Sequence, residues 1–150
     1  MKKFVFSLKT IYEYKQTIEK IQKTELSEAQ EVLRRLLAER KKLVDSFEKN
    51  KLELEEALEK NLNVTKALAE HDAHFRYLRE TRKELEPRIQ KAEEVKDRCE
   101  TALIATMKEI KSYENLKQEQ YQAYLKELQI EEEKNMSDLV SFNIVGREST

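Results

Sequence analysis

The sequence predicts an all-α fold: a long antiparallel two-helix coiled-coil hairpin with both termini at one end. Three observations predict it. A mostly apolar stripe steps alternately by three and four from Leu33 through Leu36, Leu43, Phe47, Leu54, Leu68, Phe75, Leu78, Leu85, Ile89, Leu103 and Ile110 to Tyr124. A strand alternates every second residue and cannot make this pattern, whereas a helix laid against another helix does. The 150 residues also include one Gly and one Pro, with 39% charged and 7% aromatic residues, so long helices and few reversals are expected. The third observation is Asn61-Leu62-Asn63-Val64-Thr65, a window of mediocre helix formers where the chain can turn back.

The first helix is expected over about 4–60. Phe4, Leu8, Ile11, Ile18 and Ile21 share one helical face with Tyr14, and Phe6 falls off it. These aromatics either staple the helix start or dock into a partner. Near Leu26–Leu33 the Ile11/Ile18/Ile21 register shifts to that of Leu33, a stutter in the repeat. The bend is placed at about 61–64, with Asn63 or Thr65 capping the second helix. That helix is expected over about 65–143 and is kinked near Pro87, whose ring removes a hydrogen bond to Lys83. Leu85, Ile89 and Ala92 keep the stripe, so Pro87 bends the helix without ending it. The polar interruptions Arg40, Asn50, Asn61, His71, Arg82 and Lys96 gather toward the bend and predict looser pairing there.

Residues 125–145 outrun the first helix. Glu131-Glu132-Glu133 is followed by Met136, Leu139, Val140, Phe142, Ile144 and Val145, apolar residues with nothing in their own chain to cover them. Gly146 is expected to end the helix and Arg147–Thr150 to fray.

Chemistry-bearing patterns are sparse, and no catalytic site, cofactor or metal is expected. One Gly excludes a glycine-rich phosphate loop. Cys99 sits on the stripe with no His near it in sequence, and it excludes an internal disulfide. His71 and His74 lie on neighbouring faces without a carboxylate at matching spacing, so imidazoles packed near the seam are expected over a metal pair. Net charge is −1, and basic residues alternate with acids, which disfavours nucleic acid. The two ends are uneven. Residues 1–24 carry six Lys against two Glu, and residues 127–139 five acids against one Lys. Met1-Lys2-Lys3-Phe4-Val5-Phe6 has the look of a signal peptide until Lys9 ends the apolar run. No stretch approaches the roughly 18 apolar residues of a membrane span.

Three segments resemble one family. Phe4-Val5-Phe6-Ser7-Leu8, followed by Ile11, Tyr14 and Lys15, resembles the F-x-F-x-L opening of the flagellar export protein FliJ family. Leu68 to Leu78 is similar to the family's stretch after the bend, with His71 and His74 where the family carries aromatics and Ala69 where it carries a basic residue. Glu133 to Leu139 with Phe142 resembles its closing motif. The family's Gly before the second helix is absent, and Asn61 or Asn63 stands near it.

The resemblance implies a non-enzymatic, monomeric stalk of the flagellar type III export apparatus, similar to the γ subunit of rotary ATPases. Its partners would be the export ATPase ring, the cytoplasmic domain of the export gate and export chaperones. It would be cytoplasmic and peripheral at the cell membrane without inserting. On this reading Phe4, Phe6, Leu8, Ile11, Met136, Asp138, Leu139 and Phe142 meet the ATPase ring, and Phe47, His71, His74, Phe75 and Leu78 meet the gate. Two rivals stand beside it. One is a generic tether that forms a parallel homodimer through the stripe, with Asn50 and Asn61 setting register. The other is an amphipathic, membrane-surface N-terminus.

Overall fold

The computed structural model describes residues 2–60 and 63–148. Asn61 and Leu62, where the bend was placed, lie outside the described residues, as do Met1, Ser149 and Thr150. Two helices make up the fold, α1 over Lys9–Glu59 and α2 over Val64–Glu148. They pack against each other as a helical hairpin, so the partner of the stripe is the same chain and the parallel homodimer falls away. Asn63 caps α2: its Oδ1 accepts from the Lys66 N–H at 3.3 Å, and its carbonyl from Ala67 at 3.0 Å.

The chain divides into two compact units. One is Lys20–Ile104. Its pairs Arg40–Glu86, Phe47–Phe75 and Asn50–His71 rise in number along α1 as they fall along α2, which makes the packing antiparallel. Leu36, Leu85, Ile89 and Ala92 form its core, flanked by Leu33, Leu37 and Leu43. Burying each large side chain contributes roughly 1.5–3 kcal/mol. Ile89 is only 2% exposed and Leu85 lies one turn before it, on either side of Pro87. Pro87 itself faces solvent, and α2 runs on through it. The core residues around Pro87 therefore offset its cost of roughly 3 kcal/mol. Toward the bend the seam thins. Between Leu36 and Leu78 Asn50 is the one buried residue among those described, while Leu52, Leu58 and Leu68 are exposed.

The other unit is Met1–Glu19 with Ala105–Thr150. Here Thr106 and Ile110 are the buried positions of α2. Lys15 pairs with Glu109 at 2.5 Å, and the Tyr12 hydroxyl donates to Glu114 at 3.2 Å.

Three expectations are corrected. The first helix begins at Lys9 and not at residue 4. Residues 2–6 form an arm without helix, and extended backbone turns alternate side chains to one side. Phe6 is thus buried, 5% exposed, while Val5 points out. The stutter is also absent. Inward positions run Leu8, Tyr12, Lys15, Glu19, Gln22, Leu26, Ala29, Leu33 at steps of three and four, and Ile11, Tyr14 and Ile21 are exposed. Directed bonds from Tyr12 and Lys15 to α2 favour this register over the one that would bury the isoleucines. Finally, Gly146 lies inside α2, which the residues before it carry on to Glu148.

Candidate partner-docking surfaces

The first surface is the free end of α2. Residues 2–5 of the N-terminal arm line a groove with Gln120, Tyr124, Leu128 and Glu131 of α2. The Tyr124 hydroxyl donates to the Lys2 carbonyl at 3.0 Å. The Phe4 ring meets Tyr121 edge-on at 5.2 Å and Tyr124 at 5.6 Å. Gln120 donates to the Ser7 hydroxyl at 3.1 Å. Phe6 packs edge-on to Tyr12 at 6.2 Å, and Lys117 Nζ sits 5.9 Å from the centre of the Tyr12 ring. Burial, and then the Glu114 carboxylate that accepts its proton, push the Tyr12 phenol up from its ordinary value. The hydrogen bond to Glu109 likewise raises Lys15.

Beyond the arm, residues 132–145 are all exposed. Met136, Asp138, Leu139 and Phe142 are all exposed, Phe142 at 75%. Of the residues expected at the ATPase ring, the structure does not bring Phe4, Phe6 and Leu8 to this segment. Phe4 packs instead on Tyr121 and Tyr124, more than three turns before Met136, and Phe6 on Tyr12 of α1; Phe4 and Leu8 are half-buried and only Ile11 faces out. The apolar residues of the free end do not form a face. At about 100° per residue, Met136, Leu139, Val140, Phe142, Ile144 and Val145 fall on every side of the helix, with no gap above roughly 100°.

The second surface is the region after the bend. The Phe47 and Phe75 rings meet tilted at 55°, 4.8 Å apart, and Leu78 is buried. His71 pairs with Asn50, its Nδ1 2.5 Å from Asn50 Oδ1, while Asn50 Nδ2 donates to the His71 carbonyl at 3.3 Å. That carbonyl only accepts, which fixes the amide orientation and puts the His71 proton on Nδ1. His74 alone of the expected gate residues is fully turned outward, stacked on Tyr77 at 6.5 Å. Tyr77 is 63% exposed and was not among the expected contacts. Its position three residues after His74 on the same face was the signal for it.

A family model described as the flagellar FliJ protein matches residues 4–149, from the arm to the far end of α2. The chain belongs to the FliJ family. Membership makes it a structural component of the flagellar export apparatus, serving flagellum biogenesis and protein export. No curated protein and no solved structure matches it. No helix is long and apolar enough to cross a membrane, and no cluster of three metal-ligating side chains occurs among the described residues of this FliJ-family chain.

Proposed function

We propose that the chain is the central stalk of the export apparatus. It seats the end of α2 inside the export ATPase ring, promotes hydrolysis there, and links the ring to the export gate and to export chaperones. One observation carries this reading: the apolar residues of 136–145 surround the helix. A partner with a single groove would cover one side and leave the others in water. A ring encloses the whole circumference. The acidic residues Glu131, Glu132, Glu133 and Asp138 beside them favour a basic collar.

The chain acts as a monomer at the cytoplasmic face of the membrane, held there by its partners. It touches motility and chemotaxis only through the flagellum it helps to build. Gate contact falls to His74, Tyr77 and the exposed edge of Phe47. Phe4 serves the ring indirectly, by pinning the arm to α2, and Phe6 by packing the arm on Tyr12 of α1.

The test adds the full chain to the purified export ATPase and measures hydrolysis and ring assembly. Leu139→Glu, Val140→Glu, Phe142→Glu and Val145→Glu are compared one at a time. All four sites are exposed, so helix content should stay intact. Enclosure predicts that each weakens stimulation. Unchanged hydrolysis with the native chain overturns the stalk. Loss confined to one side of the helix overturns the enclosure.

A further inference from the structure

The unit Lys20–Ile104 carries an apolar groove of about 590 Å³ on one side of the hairpin. Ala29, Val32 and Leu36 of α1 and Ala92, Val95 and Cys99 of α2 form its floor. Val32 is 51% exposed and Val95 39%, so two branched side chains stand open over two alanines that let another backbone approach closely.

The rim is charged, and the charges are sorted. Glu25 and Glu28 flank it on α1, and Arg88 and Lys91 on α2. The antiparallel pairing that joins Arg40 to Glu86 sets Arg88 near the level of Leu36 and Cys99 near that of Glu25. The groove is therefore acidic at one end and basic at the other, over a length of about 17 Å at 1.5 Å per residue. None of these four side chains forms an ion pair among the described residues, although Glu31 and Glu86 nearby both do.

A surface with an apolar middle and opposite charges at its two ends is complementary to itself when reversed. A two-fold axis across the groove performs that reversal, bringing the acidic end of one copy to the basic end of the other. We propose that this groove is a homodimer interface, occupied by a second copy of the chain lying in the reversed direction, when the chain is free of its partners. Residues 130–146 do not line the groove, so this proposal and the ring-docking reading fail independently.

Sedimentation velocity and light scattering on the full chain test it. Across a dilution series the mass should rise from 17.9 kDa toward twice that value. Glu25→Lys/Glu28→Lys places two basic ends together, and Arg88→Glu/Lys91→Glu two acidic ends. Each pair should weaken the dimer by about tenfold. Mixing the two variants should restore a heterodimer, because each then offers the charge that the other needs. Val32→Glu should give a monomer of unchanged helix content. A native chain that stays monomeric at every concentration overturns the proposal. So does a dimer that ignores both charge swaps, or two variants that fail to recover on mixing.

Discussion

Replacing Asn50 by Ala should cost the hairpin about 2–4 kcal/mol. Asn50 is 4% exposed and sits in the seam between Phe47 and Leu54. Its amide makes two bonds to one residue, accepting from His71 Nδ1 and donating to the His71 carbonyl. Each bond contributes roughly 0.5–1.5 kcal/mol net, and the abandoned imidazole N–H adds roughly 1 kcal/mol because His71 is only half-buried. At about 2–4 °C per kcal/mol for a chain of this size, the midpoint should fall by about 4–16 °C. The assay is thermal and urea unfolding followed by circular dichroism, on Asn50→Ala, His71→Ala and the double variant. The cycle should show a coupling of about 1–2 kcal/mol, since the two residues touch. A coupling below about 0.3 kcal/mol would refute the reasoning. The pair also has a role that stability does not measure. Asn50→Leu/His71→Leu makes the seam apolar, which should leave stability equal or higher while loosening register, because a buried polar pair rejects slipped pairings. Light scattering and amide exchange of the double leucine variant should show mixed states. A single hairpin as well ordered as the native one would remove the register role.

Two further predictions concern single side chains. Arg34, and to a lesser degree Arg35, holds the Glu31 carboxyl down at about 2. An NMR titration should find that Arg34→Gln raises Glu31 toward the ordinary glutamate range near 4.3, with Arg35 still holding it below that value. A depressed carboxylate supports the fold above its unfolded pKa, so this contribution is lost as the pH falls from about 4.5 to about 2, and salt should weaken it because the pair is exposed. Gln22 has a buried Oε1 with no hydrogen-bond partner among the described residues, so Gln22→Leu should stabilise the fold by about 1 kcal/mol in urea unfolding.

The stripe was legible because burial is what periodicity reports. Apart from Phe6 and Ala29, every buried residue lies on it, from Leu36 and Asn50 to Thr106 and Ile110. Its polar interruptions also signalled the thin pairing near the bend. The start of the chain was not legible in this way. Three isoleucines proposed one register, and Tyr12 and Lys15 imposed another through bonds to Glu114 and Glu109 that only the folded pair reveals. Phe6 was misplaced because a helical period was applied to an extended arm.

The free end of α2 asks for a partner more strongly than any other part of the chain. Helices of this kind owe their stability mainly to packing of an apolar face, and past Glu131 the chain supplies no such packing. Six apolar side chains stand there in water, each forgoing roughly 1.5–3 kcal/mol of possible burial. If one groove were to cover them, the sequence should place them at i, i+3, i+4 and i+7, as it does along the seam. Met136, Leu139, Val140 and Ile144 keep such a spacing, at i, i+3, i+4 and i+8, but Phe142 and Val145 lie on the opposite side, so together the six surround the helix. A helix that is apolar all round is one that becomes buried all round. The charges respect the same division, since the acidic run Glu131–Glu133 precedes the apolar turns, where the proposed ring docking would put it at the mouth of a basic collar. Glu131→Lys/Glu132→Lys/Glu133→Lys should therefore slow association with the ATPase ring and reverse its salt dependence, while Phe142→Glu should speed dissociation.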